Sequence, residues 1–485
     1  MARSRRTLRG ISEIRAYLRT NRRPIYFISP TPFNLLGIDR WVRNFFFVNW
    51  YDSFDGTHPR VFVPRSRPYR EWHSMEEITN ELLRHPEVEA FMRAKARRGL
   101  AAFVMFDDES EVLARQIGLR VIHPKASLRR FIDSKTNTVR LGNEAGVPSV
   151  PNVLKPVGSW SELRRIAERA KLGEDLVIQS PYGDSGRTTY FISSEDDWAT
   201  YGEEIAEAPE VKVMRRIRNR AFAVEACITR HGTIVGPVMT DLTGYKSLTP
   251  YKGGWCGNDL WPKALPPEQQ LVARKMIQRL GDRLAAEGYR GFLEIDILVD
   301  VDTDEVYLGE INPRVSGASS LTNVTAGAYA DLPLFCFHIL EYLNVDYEID
   351  VDDINDRWAE AASIDMWSQL IIKEPEDRVE RLVAAPKTGI WQFQADGSIR
   401  FGRWGNDWHS ILDGSEAFFL RVLAPGDYRY KGADLGTLVT RSRMQTDKLH
   451  LTKRCKQWVA GIHEQYVGIP VGNEPEIFIP PPFKG

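Results

Sequence analysis

Short apolar runs alternate with amphipathic stretches along the first third of the chain. The runs at 25–29, 101–106 and 119–122 have the length of buried β-strands, and polar or turn-forming residues follow each of them. Helical patterns lie between the second and third runs and again at about 127–145. Strands that alternate with helices predict a parallel α/β sheet, in which ligands bind beyond the carboxyl ends of the strands.

The middle of the chain has a mixed pattern of strands and helices. A proline-containing turn at 146–151 separates it from the first third. The pattern predicts these elements: helices at 159–171 and 266–288, and strands at 175–180, 188–193 and 222–229. The stretch at 243–259, rich in glycine and aromatic residues, is either a loop that shapes a substrate site or a structural crossover.

The last part of the chain begins with an acidic run at 346–356, which is typical of a solvated connector. Beyond it the sequence predicts these elements: strands at 389–393, 398–401 and 417–423, a helix near 446–466 and an extended tail at 477–483. Three domains are therefore expected, at 1–147, 148–345 and 346–485.

Two β-rich runs near residue 300 flank a short polar turn and predict a β-hairpin. A turn centred on Thr303 fixes which residues face one another. On the apolar face the expected pairs are Ile295 with Ile311 and Val299 with Tyr307. A shift of the register by one residue would turn this face toward water, whereas a shift by two would keep it, so the alternation favours this register or one displaced by two residues.

The opposite face of this hairpin gathers acids and an amide. Asp296 lies across from Glu310, and Glu294 lies across from Asn312. Carboxylates that face one another repel, and a divalent cation would relieve the repulsion. Oxygen ligands of this kind suit Mg²⁺ or Mn²⁺. The alternative is a solvated face of a surface hairpin, on which Arg314 forms only a salt bridge.

A glycine-containing segment lies between the strands predicted at 175–180 and 188–193. It holds Gly183, Ser185, Gly186 and Arg187. Glycines allow the backbone to approach a ligand closely, and successive N–H groups can cradle phosphate oxygens. Arg187 adds a fixed positive charge. The segment is therefore either a phosphate-binding loop or a plain hairpin turn.

Composition restricts the classes of function. At 485 residues the chain is too long for one hydrophobic core. Its 43% hydrophobic and 27% charged residues are typical of a globular protein, and a net charge of −1 gives no overall attraction to nucleic acid. No apolar run reaches the roughly 18 residues of a membrane span. Neither nucleic acid nor a membrane is therefore an expected partner.

Cysteine usage and the N-terminal segment bear on the compartment. The four cysteines are scattered without a C-x-x-C pair, which argues against a disulfide framework or a zinc site and favours a cytoplasmic location. The first 23 residues carry eight arginines and one acid, and they lack the apolar core of a secretory signal. A basic tail or a short helix is expected there.

The order of these signals resembles the ATP-grasp superfamily, with a biotin-carboxylase-type architecture. Three segments carry the resemblance: "GLRVIHPKASLRRFIDSKTNTVRLGNEAGVPSVP" at 118–151, the glycine-containing segment, and "EINPR" at 310–314. The resemblance covers about 100–345 well and the rest loosely. It implies an α/β (α+β) fold with a parallel pre-ATP-grasp domain, an ATP-grasp domain with a flexible lid at about 175–235, and a C-terminal strand-rich domain.

The resemblance also implies site residues for ATP and a metal ion. The implied ligands of Mg²⁺ or Mn²⁺ are Asp296, Glu310 and Asn312. The implied nucleotide contacts are Lys135, Gln179, Gly183, Ser185, Gly186, Met214, Arg215, Ile217 and Glu225. The implied catalytic residues are Lys135, Arg187 and Arg314, of which Lys135 contacts phosphates and Arg314 binds the substrate carboxylate.

Two positions depart from the family pattern. Gln179 stands where the family commonly carries a lysine, so one positive charge is missing. Ala318 stands where biotin carboxylases have a glutamate that acts on bicarbonate, and the sequence shows no biotin-attachment segment. The second departure moves the expected chemistry away from biotin carboxylation.

The expected function is therefore an ATP-dependent carboxylate–amine ligase. In the implied reaction a small-molecule carboxylate attacks the γ-phosphate of ATP, and an amine captures the resulting acyl-phosphate to form an amide or peptide bond. Amino acids or peptides are candidate substrates, and a homodimer is one option for the assembly. A bicarbonate-using carboxylase and a catalytically inactive nucleotide-binding protein are the alternatives.

Overall fold

The computed structural model of the protein describes residues 7–67, 72–96, 98–183, 188–325, 332–364 and 366–471. These residues form a parallel sheet, a large antiparallel sheet and three smaller sheets, with helices packed on their faces. The predicted mixed α/β class is confirmed. The basic segment at 1–6 and the tail predicted at 477–483 lie outside the described residues.

The first third of the chain forms the parallel sheet. Its strands and helices are β1 (Leu8–Arg9), α1 (Gly10–Arg19), β2 (Ile25–Ser29), β3 (Phe45–Asn49), β4 (Val61–Phe62), α2 (Met75–Arg84), α3 (Pro86–Lys95), β5 (Gly99–Phe103), α4 (Asp108–Gln116), β6 (Leu119–Val121), α5 (Ala126–Asp133) and α6 (Lys135–Glu144). The strands pair in the order β4-β3-β2-β5-β6, whereas β1 pairs elsewhere. Every residue of β2, β3 and β5 is buried, as expected for parallel strands covered on both faces.

The helix predicted at 127–145 is two helices, which is a correction with consequences for the site. Ser134 ends α5 and caps α6, because its side chain accepts a hydrogen bond from the Asn137 backbone N–H. Serine hydroxyls compete with the helical backbone in this way and favour helix starts. The break places Lys135 at the first position of α6, where its backbone N–H donates to the Pro181 carbonyl at 2.8 Å.

A four-stranded antiparallel sheet follows. Its elements are β7 (Asn152–Lys155), α7 (Trp160–Arg169), β8 (Leu176–Gln179), β9 (Thr189–Ile192), α8 (Glu195–Glu207) and β10 (Val211–Arg215), with strand order β7-β10-β8-β9. We call this unit, 152–215, the lid module. The lid predicted at about 175–235 has different bounds, because the strand from 219 onward joins the large sheet.

The large sheet spans the rest of the chain. The remaining elements are β11 (Asn219–Thr229), β12 (Gly232–Thr243), β13 (Trp255–Leu260), α9 (Pro267–Ala286), β14 (Gly291–Asp300), β15 (Val306–Asn312), α10 (Ser319–Thr325), α11 (Leu334–Leu343), β16 (Tyr347–Glu348), α12 (Val351–Ile364), β17 (Trp367–Lys373), β18 (Val379–Ala384), β19 (Gly389–Phe393), β20 (Ile399–Arg403), β21 (Glu416–Arg421), β22 (Tyr428–Tyr430), β23 (Asp434–Thr440), α13 (Lys453–Glu464) and β24 (Val467–Pro470). Ten strands pair in the order β15-β14-β11-β12-β13-β17-β23-β21-β19-β20. Because β13 pairs with β17, one continuous sheet crosses the predicted boundary at 345.

The prediction of a solvated connector at 346–356 is wrong. Part of the run begins α12, and Ile354 and Trp358 are buried four residues apart on one face of that helix. Asn355 satisfies the backbone of β12, since its side chain accepts from the Val235 N–H at 2.7 Å and donates to the Thr233 carbonyl at 3.2 Å. The acids lie on the other side of the helix, so counting charges hid a helix with a buried face.

The N-terminal region contains a helix, and the cysteines lie in the interior. Helix α1 buries Ile14 and Leu18 completely, so the arginine-rich N-terminal region contains an amphipathic helix. The four cysteines are buried and form no disulfides. No helix among the described residues has both the length and the apolar character that a membrane crossing requires.

His338 fastens the large sheet to the parallel sheet. Its Nδ1 accepts from the Phe292 backbone N–H at 3.0 Å, and its Nε2 lies 2.6 Å from the Ile122 carbonyl that follows β6. The ring fits because residue 291 is glycine: a Cβ there would lie 2.3 Å from Nδ1, and its φ of +102° also disfavours other residues. Burial lowers the pKa of His338 to about 4.

We predict that acid weakens this junction through His338. An unfolded histidine binds a proton below about pH 6.5, whereas the buried one stays neutral down to about pH 4, so stability falls as the pH decreases through this range. The loss attributable to His338 is on the order of 3 kcal/mol at full protonation of the unfolded state. Thermal unfolding between pH 7.5 and 4.5 should show a flatter pH dependence for His338→Gln than for the wild type.

The exposed His450 provides the matched control. His450→Gln removes an exposed ring that lies away from this junction and should leave the pH dependence of unfolding as in the wild type. An identical pH dependence in His338→Gln and the wild type would show that this junction does not carry the acid sensitivity.

Candidate active site

The β14–β15 hairpin has the predicted register in its site half. Three predicted pairs are confirmed: Glu294 with Asn312, Ile295 with Ile311, and Asp296 with Glu310. Beyond Asp296 the register shifts by one residue, and Leu298 pairs with Tyr307 while Val299 pairs with Val306. The predicted pairing of Val299 with Tyr307 is therefore wrong.

The shift is a β-bulge at Gly309, which has no paired residue on β14. A Cβ at residue 309 would lie 3.1 Å from the Asp296 carbonyl, so the strands approach closely there. The bulge places Tyr307 on the same face as Leu298, where both belong to an apolar cluster with Val177 and Met214 of the lid module. It leaves Leu308 in the opposite core. The bulge thus turns an aromatic side chain toward the lid module.

Buried carboxyl groups converge on the site face of the large sheet. Burial raises the pKa values of Asp296 and Glu310, and it raises those of Glu294 and Asp241 well above their usual ranges. The nearby charge of Asp296 contributes to the shifts of the latter two. Sequence reasoning missed Asp241. A lone acid in the apolar strand β12 was the available signal, but its proximity to Asp296 depends on the order of strands in the sheet.

Two cationic side chains meet this acidic cluster. The Lys135 ammonium lies 3.1 Å from Glu310 Oε1 and donates to the Gly183 carbonyl at 2.6 Å. Arg314 Nη2 donates to Asn312 Oδ1 at 2.9 Å, and Asn312 Nδ2 donates to Glu294 Oε2 at 2.6 Å. The positive charges of Lys135 and Arg314 lower the pKa of Asp296 against the effect of burial. These contacts bring the predicted Lys135, Arg314 and hairpin residues into one site.

The donor set fits a hard divalent cation. Asp296, Glu310 and Asn312 supply oxygen atoms, and the buried negative charge around them is only partly balanced. Among the described residues, no three His, Cys, Asp or Glu side chains are gathered in a group that could hold a metal ion by themselves. An amide oxygen and ligands from outside the protein would therefore have to complete the coordination, which is how Mg²⁺ is commonly bound.

The glycine-containing segment reaches the site at its first glycine. Gly183 lines the cavity beside the hairpin, and its φ of +143° favours glycine. Gln179 is half-buried and donates to the Thr189 hydroxyl at 3.3 Å. The other predicted residues of this segment, Ser185, Gly186 and Arg187, lie outside the described residues.

The implied nucleotide contacts at 214–225 are separated in the structure. Met214 and Ile217 belong to an apolar cluster between the lid module and the hairpin, and Arg215 is exposed beside them. Glu225 does not lie with them. It pairs with Glu294 across β11 and β14, and its carboxyl group accepts hydrogen bonds from the Ser316 and Ser319 hydroxyls.

Glu225 therefore supports the loop after Arg314. Burial raises the pKa of Glu225 to about 7, and the hydrogen bonds from the serines oppose that shift. The resemblance groups this carboxyl group with the nucleotide contacts at 214–217, whereas β11 extends seven residues beyond residue 218 before it reaches Glu225, a distance of roughly 20 Å.

A cavity of about 610 Å³ extends from the acidic cluster into the first and last parts of the chain. Its aromatic and basic wall is formed by Phe33, Trp50, Tyr51, Trp72, Arg65 and Arg67. Thr243, Gly253 and Trp255 bring the predicted loop at 243–259 to the cavity, and Ala318 lines it as well. A second, more open cavity of about 570 Å³ shares Lys135, Gly183 and Glu310 with the first.

Solved structures share this arrangement of sheets over most of the chain. The biotin carboxylase domain of 2-oxoglutarate carboxylase from Hydrogenobacter thermophilus, solved with MgADP, ADP and bicarbonate, has a TM-score of 0.59 at 12% identity, with 92% of this chain and 90% of that chain covered. Biotin carboxylase from Campylobacter jejuni has a TM-score of 0.62 at 13% identity, with 92% of each chain covered. The chain has the ATP-grasp fold. Its architecture is biotin-carboxylase-like.

Other proteins that resemble the chain are covered to different extents. Carboxyaminoimidazole ribonucleotide synthase from Aspergillus clavatus, solved with ATP, has a TM-score of 0.52 at 13% identity, with 87% of this chain and 94% of that chain covered. The alpha subunit of mitochondrial methylcrotonoyl-CoA carboxylase from Arabidopsis thaliana is 23% identical over 254 residues. That alignment includes 49% of this chain and spans only 33% of that protein. No family model matches the chain.

We predict that a divalent cation stabilises the folded protein through Asp296. With ADP present throughout, replacing EDTA by MgCl₂ should raise the melting temperature of the wild type by about 2 °C or more, because bound cation stabilises only the folded state. Asp296→Asn should lose most of this rise, since one anionic ligand is gone. Differential scanning calorimetry measures both.

Asp304→Asn is the control, because it makes the same chemical change in the exposed turn of the same hairpin. Its φ of +59° suits asparagine as well as aspartate, so the metal-dependent rise should match that of the wild type. A full rise in Asp296→Asn would contradict the assignment of this carboxylate.

Proposed function

We propose that this protein is an ATP-dependent carboxylate–amine ligase that forms an amide or peptide bond through an acyl-phosphate and releases ADP and phosphate. The observation that carries the proposal is the convergence of Lys135, Arg314 and the oxygen ligands of the hairpin at the wall of one cavity. Phosphoryl transfer depends mainly on positioning and charge neutralisation, and these residues can supply both.

Each residue has a role in this proposal that its contacts support. Asp296, Glu310 and Asn312 would hold Mg²⁺, which neutralises phosphate charge when bound with ATP. Lys135 already lies between Glu310 and the Gly183 carbonyl, so its ammonium is held where a phosphate oxygen could replace one partner. Arg314 is oriented by Asn312 and would bind the substrate carboxylate with its planar guanidinium.

The cavity favours an acid larger than bicarbonate. A volume of about 610 Å³ lies within the usual range for sites that enclose organic ligands, and its far wall is aromatic with two arginines. Ala318 presents a methyl group where a bicarbonate-activating carboxylate is expected from the resemblance. Two structural neighbours are named as biotin carboxylases, and one of them was solved with bicarbonate, so bicarbonate is the acid that competes with this proposal.

The proposal also includes assembly as a homodimer.

Turnover tests this proposal directly. We expect ADP and phosphate release from Mg-ATP to depend on the joint presence of a carboxylic acid and an amine, with amino acids and short peptides tested in pairs. Mass spectrometry should detect the amide product. Release that depends on bicarbonate alone would overturn the ligase proposal, and the absence of turnover despite nucleotide binding would favour an inactive nucleotide-binding protein.

Arg314 provides the variant test. Arg314→Met should lower kcat/KM for the acid by about 100-fold or more, because the substrate carboxylate loses its bidentate partner and its alignment. Arg314→Lys should recover part of this loss. Arg218→Met removes an exposed ion pair with Asp302 at the hairpin turn and should retain wild-type kinetics. Wild-type kinetics in Arg314→Met would exclude the proposed role.

A further inference from the structure

One face of the lid module carries a row of residues directed toward the site. Lys212 on β10 pairs with Leu154 on one side and with Gln179 on the other, and Gln179 pairs with Thr189. Residues paired across antiparallel strands project from the same face of a sheet. Thr189 lines the cavity, so this face of the lid module is the one that meets the site.

The opposite face of the lid module is its apolar core. Val213, next to Lys212 in sequence, packs there with Ile178 and Tyr190 against α7 and α8. Because side chains alternate along a strand, Lys212 must project away from this core. Lys212 is therefore buried because the lid module covers the site, since its side chain does not pack into the module core.

Lys212 is a buried cation with little compensation. Its side chain is 1% exposed, and in the described part of the chain its ammonium forms no ion pair within 4.0 Å. Glu310 lies within electrostatic range, but its Oε1 already binds Lys135, and Lys135 itself repels Lys212. Burial lowers the pKa of Lys212 to about 8. A buried ammonium without an ion pair is costly, so an anion bound beside Lys212 would relieve this cost.

The neighbours of Lys212 indicate which anion fits. Two residues along β10, on the same face, Met214 belongs to the apolar cluster with Val177 and Tyr307. Two residues of a strand span roughly 7 Å. The lid face thus offers an apolar patch followed by a cationic position, which suits a ligand with a flat apolar part and a phosphate part. A nucleotide has this form.

We propose that Lys212 binds phosphate oxygens of the nucleotide and supplies from β10 the positive charge that is missing at Gln179 on the neighbouring strand. The inference rests on the proposed function in that the ligand is an adenine nucleotide. Paired residues of adjacent strands have Cβ atoms about 5 Å apart, and a lysine side chain spans that distance, so the charge can shift by one strand and reach the same phosphate. Gln179 then remains as a neutral neighbour.

Nucleotide affinity tests the role of Lys212 without reference to turnover. Isothermal titration calorimetry should show that Lys212→Met weakens MgADP binding by about tenfold or more, which is the expected loss of a charge-assisted contact. Adenosine has no phosphate, so its affinity should change little in the same variant. Lys212→Arg keeps the charge and should restore part of the MgADP affinity.

Lys155 supplies the matched control, because it is an exposed lysine on β7 of the same module. Lys155→Met should bind MgADP as the wild type does. Equal MgADP affinity in Lys212→Met and the wild type, or an equal loss for adenosine and MgADP, would overturn the inference while the proposed function stands. A wild-type protein that binds MgADP but makes no amide would sink the proposed function alone, whereas one that binds no nucleotide would refute both.

Discussion

The structure depends on keeping like charges buried together on adjacent strands. Glu294, Asp296 and Glu310 lie on one hairpin face, and burial favours their protonated forms. The hairpin alone would not choose this arrangement, since opposed carboxylates repel. Lys135 from the start of α6 and Arg314 from the end of β15 partly balance the charge. The surrounding fold therefore has to supply cations from distant parts of the chain and hold the strands in register.

Several local features meet that requirement. The Ser134 cap begins a new helix at Lys135, so its ammonium can reach Glu310. The glycine at 291 admits His338, which ties β14 to the parallel sheet through the Ile122 carbonyl. Each feature stabilises the hairpin from a different side. The chain thus uses two separate local features to position one polar face: a helix cap, and a glycine that admits a buried imidazole.

The sequence predicted the part of this site that depends on strand alternation. A period of two and a turn centred on Thr303 predicted the pairs Asp296–Glu310 and Glu294–Asn312, because a shift by one residue would expose Ile295 and Ile311. It could not predict the bulge at Gly309, since glycine is tolerated in either register. It also missed Asp241 and Lys212 and did not show that Glu225 lies beside Glu294, because the positions of these residues relative to the hairpin depend on the order of strands in the sheets. The helix at α12 was obscured by its acidic surface.

The position of Lys212 shows why a motif read residue by residue can mislead. Gln179 removes a charge from the strand where the resemblance expects it, which alone indicates weak phosphate binding. A sheet, however, places paired residues of neighbouring strands about as close as residues two apart on one strand. Electrostatic attraction depends on the distance between the charges and on how deeply they are buried. It does not depend on which strand carries the charge. A lysine at residue 212, paired with Gln179 and buried beside Lys135, can therefore preserve the field that a phosphate needs while the motif itself appears lost.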